Sequence, residues 1–277
     1  MRRMCTPGSV RSGRPRLDGK VLVVIGGTSG LGLSAALAFQ AEGARLVVVG
    51  RDDEHLAVAR ERLAPETRVL GLDATQPETA IRAVEAAAEA FGSFHGLYHV
   101  AGGSGRRFGD GRLHELTDEG WEATLRLNLT SVFYSNRAAV RRFVRQGGGG
   151  TVLNLASVLA WSPSPEFFST HAYASAKAGI LGLTRSAAST YAARNIRFNA
   201  LAPGLVATPM SHRAQGDERI RHFIRGKQPL DGGRMGRPDD LDAAAVFFMS
   251  DASCFVTGQV LAVDGGWCVS EGGTPTA

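Results

Sequence analysis

Seven short apolar runs, alternating with segments of helical spacing, constrain the fold of this chain more than any other feature. The runs are KVLVVIG (20–26), ARLVVVG (44–50), RVLGLD (68–73), GLYHVAG (96–102), TVLNLAS (151–157), IRFNALA (196–202) and QVLAVDGG (259–266). They are Val/Leu-rich and continuously apolar, as strands buried on both faces of a parallel sheet must be. Between them, segments such as LGLSAALAFQAEG and PETAIRAVEAAAEAFG carry apolar residues at helical intervals. Strict alternation of this kind requires right-handed crossovers. It therefore predicts an α/β protein, a doubly wound three-layer α/β/α sandwich around a seven-stranded, mostly parallel sheet. At 277 residues and 44% hydrophobic content the chain can bury that core as one domain. No composition break marks a second domain, and the glycine run Gly147–Gly150 reads as a helix-to-strand turn rather than a linker.

Charge locates a leader. Residues 1–17 hold Arg2, Arg3, Arg11, Arg14 and Arg16 and no acid, which accounts for the whole formal charge of +5. The expected organisation is a basic, disordered leader over 1–17, a single domain over 18–268 and a tail over 269–277. A neutral body gives no basic face for a phosphate backbone, so nucleic acid is not expected as a partner. No apolar run approaches the ~20 residues of a membrane span, so no membrane is expected either. The leader lacks the apolar centre of a secretory signal, although its composition also suits a transit peptide. Cys5, Cys254 and Cys268 are widely spaced and form neither a disulfide framework nor a metal motif. The expectation is a soluble cytoplasmic protein without a metal.

The first strand-to-helix junction reads VVIGGTSGLG, with Gly26, Gly30 and Gly32 spaced G-x-x-x-G-x-G. Glycine there closes the turn and lets backbone approach a pyrophosphate, which then meets the free N–H groups of the helix N-terminus. The next strand ends VVVGRDD. An acid at that end would hold the ribose hydroxyls of NAD, whereas Arg51 can pair with the 2′-phosphate of NADP. NADP is therefore the expected cofactor. NAD is the alternative, kept open by Asp52 and Asp53, which also suit a helix cap. Asp73, ending the third strand, suits either the adenine amino group or a cap on the following turn.

In HAYASAKAG (171–179), Tyr173 and Lys177 are four residues apart and share one helical face. Their neighbours are small, so a ligand can come close. Only Lys20, Lys177 and Lys227 are lysines among 31 basic residues, so a compact ammonium beside this phenol stands out.

In order along the chain, GGTSGLG (26–32), RLNLTSVF (126–133), NLASV (154–158), YASAK (173–177), NALAPGLVATPM (199–210) and AVDGGW (262–267) resemble the classical short-chain dehydrogenases/reductases across residues 18–268. The resemblance implies a Rossmann fold and an NAD(P)-dependent oxidoreductase that moves hydride between nicotinamide and a carbonyl or secondary alcohol. It implies that Tyr173 is the general acid/base, that Lys177 together with the positive oxidised nicotinamide lowers its pKa, and that Lys177 holds the nicotinamide ribose. Ser157 would polarise the substrate carbonyl, and Asn128 would anchor a water relay to Lys177. It further implies that Gly26, Thr28, Ser29, Gly30, Leu31, Gly32, Arg51, Asp73, Ala74, Ala101, Gly102, Pro203, Gly204, Val206 and Thr208 contact the cofactor. A catalytically silent NADP sensor is the alternative, disfavoured because Asn128, Ser157, Tyr173 and Lys177 are all present.

Three departures from the family pattern stand out. Ile25 replaces a threonine before the first glycine. His99 and Val100 replace the asparagines of Asn-Asn-Ala-Gly; His99 is expected to be a structural brace rather than a catalytic or metal-binding group. The connection from Ser157 to Tyr173 is long, and Trp161, Phe167 and Phe168 in it suit either a wall of the substrate site or simple packing over the loop. A lid is expected over about 206–235, where Arg213, Arg219, Arg221, Arg225 and Lys227 outnumber the acids. With Arg106 and Arg107, these raise an anionic substrate as an alternative to a solvated face. The resemblance also implies a homotetramer or homodimer.

Overall fold

The computed structural model describes residues 15–272. Its strands are β1 (Val21–Ile25), β2 (Arg45–Gly50), β3 (Arg68–Gly71), β4 (Gly96–His99), β5 (Gly150–Leu155), β6 (Ile196–Pro203) and β7 (Val260–Val263). Among the described residues they form one sheet in the order β3-β2-β1-β4-β5-β6-β7, and every pairing is parallel. The order reverses between β1 and β4, where the chain crosses from one half of the sheet to the other. In open α/β sheets a crevice lies at such a switch point, outside the carboxyl ends of the strands.

The inner strands are buried on both faces, as their lack of alternation requires, whereas the edge strands β3 and β7 are only partly buried because each has a neighbour on one side alone. On one face Leu22, Val24, Leu46 and Val48 pack with Leu33 and Phe39 of α1 (Gly30–Ala41). Val246, Phe248 and Met249 of a later helix, Asp242–Met249, complete that layer. On the other face Val21, Val23, Val47 and Val49 meet Ala83, Val84 and Ala87 of the helix Pro77–Phe91, together with Phe143. Local chemistry sets the helix ends. The helix Asp53–Arg62, α2, is capped by Asp52, whose side chain accepts from the His55 amide; acids fill its first turn and Arg60 and Arg62 its last. The helix Pro77–Phe91, α3, opens with proline and ends on Gly92 at φ 74°.

Two expectations about boundaries are corrected. Leu17 is fully buried in the core, and Arg16 binds the Glu42 carboxylate through its amide (2.7 Å) and its Nε (3.0 Å), so the domain begins before residue 18. At the other end Lys227 Nζ donates to the Ser270 carbonyl and Ser270 Oγ to the Gly226 carbonyl, so residues to at least 270 belong to the fold. The rest of the expected leader, with Cys5, and residues 273–277 lie outside the described residues. Among those described, no helix is long and apolar enough to cross a membrane.

The helical segment over 118–146 is interrupted. It forms α4 (Asp118–Leu125), a π-helical turn Arg126–Thr130, and α5 (Ser131–Gln146). A π turn of this kind frees a backbone carbonyl for another partner, and such turns collect at functional sites. Three further helices matter below: α6 (His171–Tyr191), α7 (His212–Gly216) and α8 (Glu218–Lys227).

Candidate active site

The glycines of the first crossover are required by space. Gly26 sits at φ +85°, and a Cβ there would fall 2.5 Å from the Ala101 amide nitrogen. A Cβ on Gly32 would collide with the Gly26 carbonyl, so α1 can start this close to β1 only with glycine at that position. Ser29, the N-cap of α1, makes no side-chain cap bond, and no acid lies in the first turn. The helix thus presents amide donors and a positive dipole end that neither its N-cap side chain nor an acid in its first turn neutralises.

These elements floor a cleft lined by Gly26, Thr28, Ser29, Gly30, Leu31, Arg51, Asp73, Ala74, Ala101 and Gly102. At its far end, Gly50 cannot carry a side chain because a Cβ would overlap Thr28, which is itself buried. No acid can therefore project from the last position of β2. Asp52 is committed to capping α2. Arg51 is left half-exposed at the cleft, 3.6 Å from Asp73 Oδ2. Burial alone would raise the pKa of Asp73, but hydrogen bonds from Thr75 and the Arg51 charge outweigh it and hold the carboxyl below its usual value. Asp73 also accepts from the Thr75 amide, so it does cap the turn. Glycine cradle, open helix end and cation fit a dinucleotide.

The cleft runs into a pocket lined by Ser157, Tyr173, Lys177, Pro203, Gly204, Val206 and Thr208. Lys177 is buried, and its Nζ lies 5.5 Å from the Tyr173 ring centre while donating to the Leu155 carbonyl at 2.8 Å. Ser157 Oγ accepts from the Leu159 amide at the end of β5, which fixes the hydroxyl toward the pocket. In the cofactor-free chain burial dominates the titration of both groups. Burial pushes the Tyr173 phenol up to about 12, against a smaller hydrogen-bonding contribution from Ser157. Burial likewise pulls the Lys177 ammonium down to about 7. Within the polypeptide, desolvation is the largest influence on both groups and drives both toward their neutral forms.

Asn128 lies behind the wall of this pocket, in the π turn. Its Oδ1 accepts from the Gly103 amide, and its Nδ2 donates to the Gly103 and Thr124 carbonyls, each at 3.0 Å. A Cβ on Gly102 would stand 2.8 Å from Asn128 Oδ1 and 3.6 Å from Lys177 Nζ, so glycine there keeps the space between them open.

His99 is a brace. It is buried, with Nε2 at 3.0 Å from the Ala101 carbonyl and Nδ1 at 2.7 Å from Ser135 Oγ. Only the tautomer protonated at Nε2 satisfies both partners. Burial, then the nearby Lys177 charge, pull its pKa down to about 3, so it is neutral near pH 7. His95 is structural too: its Nδ1 accepts from the Val21 amide. In the long connection before α6, Phe168 lines the pocket with Trp267, the rings meeting edge-on at 5.8 Å. Phe167 instead packs on Phe223, and Trp161 is exposed.

Sequence reasoning missed two positioning groups. Asp110, buried in the loop after β4, accepts from the Ala172 amide (3.0 Å) and the Tyr173 amide (2.9 Å). It caps α6 from afar, in place of the adjacent Thr170, whose side chain makes no cap bond. Gln228, also buried, accepts from the Leu205 amide (2.6 Å) and donates to the Leu205 carbonyl (3.2 Å), holding the loop beside Gly204.

A family model described as Enoyl-(Acyl carrier protein) reductase matches residues 26–268. The chain is 35% identical over 261 residues to L-rhamnose-1-dehydrogenase of Scheffersomyces stipitis, covering 92% of this chain and 98% of that one. It is 33% identical over 254 residues to 3-oxoacyl-[acyl-carrier-protein] reductase FabG of Thermotoga maritima, covering 91% and 98%. A solved short-chain type dehydrogenase/reductase from Mycobacterium ulcerans superposes with a TM-score of 0.83 at 32% identity, covering 92% of this chain and 91% of that one.

Proposed function

Because this chain belongs to the classical short-chain dehydrogenase/reductase family, an NAD(P)-dependent oxidoreductase family acting on CH–OH and C=O groups, we propose that it reduces a ketone with NADPH, using Tyr173 as the proton donor. The observation that carries this reading is the convergence of Ser157, Tyr173 and Lys177 on one pocket, continuous with the glycine-floored cleft.

When bound, the dinucleotide supplies the hydride. The open N-terminus of α1 would receive its pyrophosphate, and Arg51 would pair with the 2′-phosphate. The Ser157 hydroxyl donates a hydrogen bond to the substrate carbonyl oxygen and holds it against Tyr173. Tyr173 Oη gives its proton to that oxygen in reduction and takes it back in oxidation. Burial keeps the proton on the phenol through neutral pH, which is the form reduction uses. Lys177, tethered to the Leu155 carbonyl, holds the nicotinamide ribose and replenishes the phenol proton across the space that Gly102 leaves beside Asn128. Residues 206–235, including α7 and α8, act as the lid, with Val206, Thr208 and Ala214 on its pocket side. Assembly into a homotetramer or homodimer would cover Trp121, Phe133 and Val144 on α4 and α5, which are exposed in the single chain.

The test is oxidation of NADPH and NADH by the wild type and Tyr173→Phe over a carbonyl panel. The wild type should turn over with NADPH preferred, and the variant should lose roughly 10²–10⁴-fold in kcat. Equal turnover in both proteins, above an enzyme-free control, refutes the acid role.

A further inference from the structure

Resting on that reading of the pocket, we propose that the substrate carries an oxyanion, a carboxylate or a phosphate, and that Arg106 and Arg213 grip it at the mouth of the pocket. Arg106 comes from the loop after β4 and Arg213 from α7, yet both line the pocket that holds Ser157, Tyr173 and Lys177. Their guanidinium groups converge on a single acceptor, the Phe167 carbonyl, at 3.0 and 3.2 Å. Two cations sharing one neutral oxygen leave most of their donors unused, and that oxygen carries no charge to balance theirs.

Among the described residues neither forms an ion pair, while other arginines nearby do. Arg219 pairs with Glu166 at 3.2 Å, and Arg234 with Asp240 at 2.6 Å. The neighbouring carboxylate, Asp110, has both oxygens committed to α6 amides. Burial, then the charge of Arg213, lower the pKa of Arg106 against a smaller opposing pull from Asp110, a cost that an anion between the two arginines would reverse. Planar guanidinium forks match a carboxylate or phosphate in two-point contacts. The remaining wall is apolar, with Leu159, Phe168, Val206, Met210 and Trp267. The implied substrate has a carbonyl for Tyr173, an apolar spacer and an anionic end. The two arginines also border the dinucleotide cleft, so the test must separate substrate from cofactor.

Aliphatic oxo acids of increasing chain length, their methyl esters and the matching oxoalkyl phosphates would be assayed with NADPH. The proteins are wild type, Arg106→Gln, Arg213→Gln and Arg213→Lys, each checked for folding by thermal unfolding, with NADPH affinity titrated separately by fluorescence. The wild type should prefer one anionic series over the ester by about tenfold or more in kcat/KM, and the better series identifies the anion. Each glutamine variant should reduce that preference by about tenfold, with partial return in Arg213→Lys. Wild-type reduction of ester and anion alike overturns the clamp alone. So does an unchanged preference in the glutamine variants, or a loss confined to NADPH binding. Failure of the wild type to reduce any member of these series or of the carbonyl panel removes the reductase reading and the clamp with it, whereas equal turnover by Tyr173→Phe removes only the acid role.

Discussion

Replacing Asp110 should damage catalysis from a position whose side chain contacts α6 only through the helix backbone. Its carboxylate accepts from the amides of Ala172 and Tyr173, the second and third residues of α6, at 3.0 and 2.9 Å. Asp110→Ala strands both donors at a buried helix end. Each bond to a charged acceptor contributes about 1.5–3 kcal/mol, and loss of a cap costs about 0.5–2 kcal/mol. With water able to enter and satisfy part of the deficit, a destabilisation of about 2–4 kcal/mol is expected, a large share of an ordinary domain's 5–15 kcal/mol. Tyr173 sits in the turn that frays. A displacement of about 1 Å at a reacting group can cost about 10²-fold, so kcat should fall by roughly 10–100-fold. Asp110→Asn should fall between, because its amide oxygen can accept one bond while its NH₂ opposes the other donor. Urea unfolding gives the stability term. Steady-state kinetics with NADPH affinity titrated separately gives the second, and the loss should appear in kcat with cofactor binding changed less than threefold. A loss of stability below 0.5 kcal/mol with kcat intact in Asp110→Ala would refute the capping argument.

Other outcomes follow from the same geometry. Arg51→Asp should move cofactor preference from NADPH toward NADH by about tenfold or more in kcat/KM, since a charge pairing with the 2′-phosphate is replaced by a repulsion. Gly32→Ala should weaken NADPH binding measured by fluorescence titration, because its Cβ overlaps the Gly26 carbonyl and must push α1 away from β1. The cofactor-free protein should gain stability as pH rises from about 7 toward the ordinary lysine range. Lys177 is held down to about 7 when folded, so in that window the unfolded chain binds more protons. Lys177→Met should flatten that rise in urea unfolding at pH 6, 7.5 and 9; an unchanged slope would show that the lysine is not the group responsible.

The parts of this molecule legible in its sequence are those encoded by short-range pattern. The seven apolar runs became seven strands, and for the inner ones burial on both faces leaves a continuous apolar signature; the edge strands β3 and β7 are only partly buried. Gly26 and Gly32 were readable because close backbone approach demands glycine at fixed spacing. Tyr173 and Lys177 share a face because four residues make about one helical turn. What the sequence hid depends on distant partners. Asp110 reads as an ordinary loop acid until α6, some 60 positions away, is brought against it. The π turn at 126–130 has no periodic mark of its own, and His99 is explained only by Ser135 and the Ala101 carbonyl. The upward shift of Tyr173 in the cofactor-free chain was hidden for a related reason. Spacing reveals the neighbouring ammonium, whereas desolvation depends on everything that packs around the pair.

These hidden contacts share one segment, residues 99–110, and that has a consequence for how the site is built. His99 fixes the end of β4 to α5 through Ser135. Gly103 is clamped on both its amide and its carbonyl by Asn128. Arg106 reaches the Phe167 carbonyl across the pocket mouth, and Asp110 holds the start of α6. One loop therefore ties together the cofactor cleft, the pocket mouth and the helix bearing Tyr173. A departure from the family pattern at its first residue is tolerated because the imidazole supplies both an acceptor and a donor there. The loop's rigidity rests on several independent buried bonds rather than on any one. A change at His99 alone should accordingly be milder than one at Asp110, the acceptor for the amides of both Ala172 and Tyr173.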